Sequence, residues 1–218
     1  MYHVGFLHTA HAHVEAFSAL MADVAPSLTH QHIVSPQLLE RAQLMGSTDR
    51  EVRVGVHAAL SELPSLEVRV VVCTCSTIGS VAEDCGRNLD LRVLRVDRPM
   101  AEVAVRSAHN IALVAALAST LTPTRNLLQA VAQEANTTVR IVDAPCLDAW
   151  ASFEAGDEPA FHHRIAAHID SLDPSFDVAV LAQASMAPAA QLVTNGTRVL
   201  TSPRLGVEAA CRLTLQES

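Results

Sequence analysis

"VVVCTCSTIGS", residues 70–80, reads as a strand that runs into a polar loop and then into a helix. Three consecutive valines, with Val68 just before them, make a continuous β-branched apolar run. A strand buried on both faces has that pattern, because neither side of its sheet meets water. The threonine, serine and glycine that follow are turn formers, and a helix is expected to start near Ile78. The stretch also has an echo: "DVAVLAQASM" (177–186) repeats "RVVVCTCSTI" (69–78) 108 positions later.

Other segments repeat in the same order at almost the same distance. "HVGFL" (3–7) answers "NIALV" (110–114) at an offset of 107, and "HIVSPQLL" (32–39) answers "RIVDAPCL" (140–147) at 108. "RVLRVDRP" (92–99) parallels "RVLTSPRL" (198–205), and "EVAVR" (102–106) parallels "EAACR" (208–212), both at 106. Similarities in one order at near-constant spacing indicate an internal duplication. Each half alternates short apolar strands with helical patterns. The strands are expected at 4–7, 32–34, 68–72 and 92–96, and again at 111–114, 140–142, 178–181 and 197–201. Such alternation implies parallel sheets covered on both faces. The fold expected is α/β: two similar three-layer Rossmann-like lobes related by internal duplication, with the active site in the cleft between them. The first lobe is drawn at 1–105 and the second at 106–204, with the C-terminal helix 205–218 packing back on the first.

Composition narrows the chemistry. Among 218 residues there are 15 arginines and no lysine, which removes Schiff-base and pyridoxal-phosphate mechanisms and any Walker-type phosphate loop. The formal charge of -8 and the 3% aromatic content oppose a nucleic-acid surface, which needs a basic excess and stacking platforms. The start "MYHVGFLHTAHAH" has no signal-peptide pattern, and the run "IALVAALA" is too short to span a membrane. Five cysteines, an odd number, fit free thiols in a reducing cytoplasm.

Ligands of open α/β sheets bind beyond the carboxyl ends of the strands, so the loops there carry the chemistry. Cys73 is in phase with the valines and reads as strand packing. Cys75, with Ser76 and Thr77, falls at a helix start, where free N–H groups favour an anion and a thiol is expected to ionise more easily than its ordinary value of about 8.5. A metal clip lacks further ligands at suitable spacing, and no Cys-x-x-Cys is present. The loops after the first strand of each half, "LHTAHAH" and "ASTLTPT", supply His8, Thr9, His11 and His13, and Ser119 and Thr120. Their hydroxyls suit either a carboxylate or ordinary helix capping. His162, His163 and His168 lie in an amphipathic stretch and read as surface residues. By the offset of 108, Cys75, Ser76 and Thr77 correspond to Gln183, Ala184 and Ser185.

The duplicated lobes and the Cys-Ser-Thr loop after the third strand resemble the PLP-independent aspartate/glutamate/hydantoin racemase superfamily, which also holds maleate isomerases and arylmalonate decarboxylases. The resemblance runs through "GFLHT" (5–9), "HIVSPQLL" (32–39), "VVCTCSTIGS" (71–80), "VLRVDRPMAEVAV" (93–105), "ASTLTPT" (118–124) and "VLAQASMAP" (180–188). It implies a cofactor-independent isomerase working at the carbon next to a carboxylate, with Cys75 as base or nucleophile. In the two-cysteine members one thiol from each lobe faces that carbon. The second position is Gln183 in this chain, and none of the other cysteines fits it: Cys146 aligns with Leu38, while Cys85 and Cys211 fall in helical segments. Glutamine cannot exchange a proton as a thiol does. The resemblance implies substrate contacts from His8, Thr9, Ser76, Thr77, Ser119, Thr120, Gln183 and Ser185. Three readings stand open: a racemase or isomerase of a small amino or dicarboxylic acid, a single-cysteine decarboxylase or lyase of a substituted malonate, and a non-catalytic carboxylate-binding module. No metal or cofactor is expected, the partner is a small carboxylate, and a homodimer is the default for a soluble enzyme.

Overall fold

The computed structural model describes residues 3–63, 68 and 70–216. Arg69 of the third-strand segment and residues 217–218 of the closing helix lie outside the described residues. The chain divides into two units, Met1–Asp97 with Pro203–Ser218, and Arg98–Ser202.

The first unit holds β1 (Val4–His8), α1 (Ala12–Val24), β2 (His30–Val34), α2 (Pro36–Met45), α3 (Arg50–Ser61), β3 (Val70–Cys73), α4 (Gly79–Arg87) and β4 (Arg92–Arg95). Its four strands lie in the order β2-β1-β3-β4, parallel throughout. The two central strands are buried along their whole length, as the valine run requires. Leu7, Leu38, Val52, Val56, Leu60, Val71, Ile78 and Val81 pack into one core between this sheet and its helices. Local chemistry sets the helix ends. Pro36 opens α2, where a missing N–H costs nothing, and Gly46 closes it at φ +91°, a backbone region that only glycine enters freely. The Asp49 side chain accepts from Glu51 N at 2.7 Å and caps α3. The closing helix α9 (Ser202–Gln216) lies almost wholly in this unit, with Cys211 Sγ 3.9 Å from Met21 Sδ and an ion pair from Arg204 to Asp23.

The second unit holds α5 (Arg98–Ser107), β5 (Asn110–Ala115), α6 (Leu121–Glu134), β6 (Arg140–Pro145), α7 (Trp150–Glu154), α8 (Glu158–Asp170), β7 (Val178–Leu181) and β8 (Val199–Leu200). Its strand order, β6-β5-β7-β8, repeats the first, again all parallel. Val114, Phe161, Ile165, Ile169, Leu181 and Met186 form part of its core.

Strand register tests the duplication directly. Val4 pairs with Val70 in the first sheet, and Ile111 with Val178 in the second, which are the offsets of 107 and 108 read from sequence. Val71 pairs with Val93 and Ala179 with Val199, which reproduces 106. The second strand departs. Leu7 pairs with Ile33 while Val114 pairs with Ala144, so Ile33 and Ala144 are equivalent, 111 positions apart rather than 108. Cys146 therefore matches Ser35, not Leu38: its N–H bonds Ala115 O as that of Ser35 bonds His8 O. The halves also differ after β7. Where the first has α4, the second has a nine-residue 3-10 segment, Ala184–Leu192, with Pro188 inside it. Proline withholds an N–H and crowds the preceding turn, which breaks a regular α-helix.

Candidate active site

In a parallel sheet of order 2-1-3-4, the chain leaves the centre in opposite directions from the first and third strands, and the loops part to leave a crevice there. In the first unit that point falls between β1 and β3. Thr9 follows β1 directly, Cys75 lies two residues beyond β3, and both are buried. The strand ends are pinned: Thr74 N donates to Leu7 O at 3.0 Å and Ser35 N to His8 O at 2.9 Å.

Around Cys75 the chain gathers donors. The Thr9 and Thr77 hydroxyls and the N–H groups of Thr77 and Ile78 hydrogen-bond the sulfur. Ile78 caps α4, so these N–H groups belong to the start of that helix. Yet the thiol does not ionise easily, as its position alone led us to expect. Burial pushes Cys75 up, and the hydroxyl and N–H donors only partly oppose it. With Cys75 at 7% exposure the loss of water outweighs the helix start. Its resting form at neutral pH is the thiol. Cys73 is buried in the strand with its Sγ on Cys75 O at 3.6 Å, and burial raises it far beyond the physiological range, in keeping with packing.

His8 is committed within its own unit. The Thr74 hydroxyl donates to Leu7 O (3.2 Å), so its oxygen accepts from His8 Nδ1–H at 2.8 Å. His8 Nε2, left as an acceptor, takes the Nδ1–H of His32 at 2.7 Å, and His32 Nε2 takes the Ser18 hydroxyl at 3.0 Å. Ser18 Oγ then accepts from His30 Nε2 at 3.4 Å. These tautomers follow from the terminal carbonyl, which can only accept. The rings stack with Phe6, 5.8 Å from His8 and 5.1 Å from His32. Burial and neighbouring imidazoles lower His8 to about 3 and His32 to about 4. His13 also falls to about 4 by burial, and neither of its ring nitrogens has a hydrogen-bond partner among the described residues.

The sequence reading missed His32, His30 and Ser18. The signal was present: period two puts residues 30 and 32 on one face of β2, and Phe6 pairs with His32 in register.

The second unit has the same crevice between β5 and β7. Ala182 N bonds Val114 O at 2.9 Å, as Thr74 N bonds Leu7 O, so Gln183 stands where Cys75 stands in the first unit. Its side-chain Oε1 accepts from Ala116 N at 2.7 Å and Leu117 N at 3.1 Å. Ser119 and Thr120 form the 3-10 turn after β5, and the Thr120 hydroxyl is spent on Leu117 O at 2.7 Å. Ser185 is half-buried, its carbonyl accepting from His162 Nε2 at 3.0 Å. His162 and His168, expected at the surface, are half-buried and bond backbone carbonyls of their unit; His163 alone of the three is exposed. Ser76 and Thr77 are buried beside Cys75.

All five cysteines are buried and unpaired, and among the described residues no three His, Cys, Asp or Glu side chains gather as a metal site. Nor is any helix of the described residues long and apolar enough to cross a membrane.

Solved structures match the chain from end to end. An aspartate racemase from Picrophilus torridus superposes with a TM-score of 0.73 over 97% of this chain and 93% of its own, at 14% identity. The chain shares the α/β fold of that protein. A glutamate racemase from Francisella tularensis gives 0.71 over 98% and 81% at 13% identity, and an allantoin racemase from Klebsiella pneumoniae gives 0.66 over 100% and 89% at 18%. No family model and no curated protein sequence matches. The shared fold is thus carried here by strand order and register more than by residue identity.

Proposed function

We propose that the chain is a cofactor-independent, racemase-like isomerase acting at the carbon next to a carboxylate of a small amino or dicarboxylic acid. The observation that carries this reading is the set of donors on the Cys75 sulfur: the Thr9 and Thr77 hydroxyls with the N–H groups of Thr77 and Ile78. These are groups that stabilise a thiolate once it forms, although burial keeps the resting group a thiol. As base, Cys75 first gives its thiol proton to solvent; the thiolate then takes the α-proton, leaving the electron pair on the carboxylate as an enediolate, and water returns a proton to the opposite face of the carbon. As nucleophile, it adds to an activated double bond, permits rotation and departs. Ser76, Ser119, Gln183 and Ser185 hold the substrate's oxygens in this reading, while the Thr9 and Thr77 hydroxyls serve the sulfur and that of Thr120 closes its own turn on Leu117 O. His8 contributes by fixing Thr74, the residue before Cys75.

The raised thiol pKa favours one alternative. A buried thiol is suited to give a proton to a carbanion, the step that follows loss of carbon dioxide from a substituted malonate. Turnover measured over a panel of amino, hydroxy and dicarboxylic acids, with optical rotation and carbon dioxide release followed in parallel, separates the two. Cys75→Ala should abolish whichever activity is found. Full activity in that variant removes the assignment.

A further inference from the structure

Beside the start of α4, within the first unit, lies a buried charge that the mechanism does not use. Arg95 ends β4 and pairs in register with Cys73. Its Nε and Nη2 donate to the two carboxylate oxygens of Asp97 at 2.9 and 2.8 Å. A buried ion pair adds little net stability over apolar side chains of the same volume, so stability alone does not account for it. What it fixes is geometry: two parallel bonds hold the planar guanidinium, and with it the stem, in one place. That stem lies against Gly79, the first residue of α4. A Cβ there would come within 2.9 Å of Arg95 Cγ and Nε and 3.1 Å of Cδ. A second tie runs further along the helix, where Glu83 Oε1 accepts from Arg95 N at 3.3 Å. The residues just before Gly79 are Thr77 and Ile78, whose N–H groups donate to the Cys75 sulfur.

We propose that Arg95, held by Asp97, is a positioning residue for the Cys75 thiolate: it sets the start of α4 so that the Thr77 and Ile78 N–H groups reach the sulfur. The consequence for turnover rests on the reading of Cys75 as the group that exchanges the proton; the positioning itself does not. A buried sulfur has little water to stabilise its charge, so a thiolate formed there depends on the donors the chain supplies. The arrangement also gives a reason for the glycine at 79. Glycine is a poor helix former, and what it supplies is room for the Arg95 stem. A methyl group that meets a flexible side chain is ordinarily accommodated by a change of rotamer. The two bonds to Asp97 close that escape, so either the ion pair or the helix start has to move.

Proton–nitrogen NMR of the full-length chain reads the two donors directly. Cys75→Ala shows where the Thr77 and Ile78 amide resonances lie without a sulfur to bond. Arg95→Met with Asp97→Ala removes the clamp and keeps an apolar filling, while Gly79→Ala presses on the clamp from the helix side. Both should carry the Thr77 and Ile78 resonances more than halfway to their Cys75→Ala positions. Val56→Ala, on α3 in the same core, lowers stability by leaving a cavity and should leave these resonances where wild type has them. The kcat for exchange of the α-proton with solvent should fall about tenfold in both variants, the equivalent of one lost hydrogen bond to a charged group. Wild-type amide positions in either variant, once folded, overturn the proposal. So does an equal movement in Val56→Ala, or an unchanged kcat in a variant whose amides have moved. Wild-type protein that exchanges no α-proton would remove the isomerase reading, and the amide shifts would still decide the role of Arg95.

Discussion

His8 Nε2 lies 2.7 Å from His32 Nδ1, and the polarity of the surrounding bonds allows only one of the two nitrogens a proton. A proton added to either ring forces the chain of bonds through Ser18 to reverse, with donors from both His32 and His30 then meeting at its hydroxyl. Burial adds to this, lowering His8 to about 3 and both His13 and His32 to about 4, from an ordinary value of 6.5.

The pH dependence of stability follows. Below about 6.5 the unfolded chain takes up protons on these imidazoles that the native chain refuses, so stability falls with pH. The loss runs from about 6.5 down to the native values of about 3 and about 4. His8 and His13 should each contribute a slope of about 1.4 kcal/mol per pH unit across the middle of that window, with the half-exposed His32 adding less. Urea titrations between pH 7 and pH 4 measure it. A flat profile over that range contradicts the neutral histidine cluster.

His13 should be replaceable at a gain. Its ring packs 6.0 Å from both His8 and Phe17, and both of its nitrogens are buried without a partner among the described residues. Unpaired buried polar atoms cost about 1–3 kcal/mol. His13→Phe keeps the ring and removes the nitrogens, so it should raise the midpoint of urea unfolding and flatten part of the acid limb. A lowered midpoint would show that the imidazole has a use in the native state.

Arg95 and Asp97 form a two-bond ion pair, Nε to Oδ1 at 2.9 Å and Nη2 to Oδ2 at 2.8 Å, with side chains 5% and 0% exposed. It lies at the end of β4, and a Cβ on Gly79 would come within 2.9 Å of the Arg95 side chain, so the arginine fills the space under the start of α4. Asp97→Ala takes its two-bond counter-charge from a buried guanidinium, with Glu83 still acting on it, and should cost about 3–5 kcal/mol. The double variant Arg95→Met with Asp97→Ala should recover much of that loss. Denaturant midpoints of the two variants decide it.

Much of this architecture was legible in the residues. The unbroken apolar runs of β3 and β7 identified buried parallel strands, and the duplication offsets agree with the register of three strands out of four. The second strand slipped because "HIVSPQLL" and "RIVDAPCL" match in their apolar residues, whereas backbone pairing puts Ser35 opposite Cys146. The 3-10 segment after β7 was hidden because an Ala-rich stretch suggests a helix until the effect of Pro188 is taken into account. Cys75 was visible from its place after the strand, but the direction of its pKa was not. A helix start is read from neighbouring residues, whereas desolvation depends on the surrounding core, which arrives from elsewhere in the chain, as does the Thr9 hydroxyl that opposes it. The histidine chain was obscured for the same reason, since Ser18, His30 and His32 meet His8 only through the fold.

The central claim is that Cys75 exchanges the proton at the carbon next to a carboxylate. Proton NMR in deuterated water, run on wild type and Cys75→Ser with the same panel of amino, hydroxy and dicarboxylic acids, tests it most directly. The account predicts loss of the α-proton signal of at least one acid with wild-type protein and no loss with Cys75→Ser. Equal exchange by both proteins, or none by wild type with any acid of the panel, would contradict it.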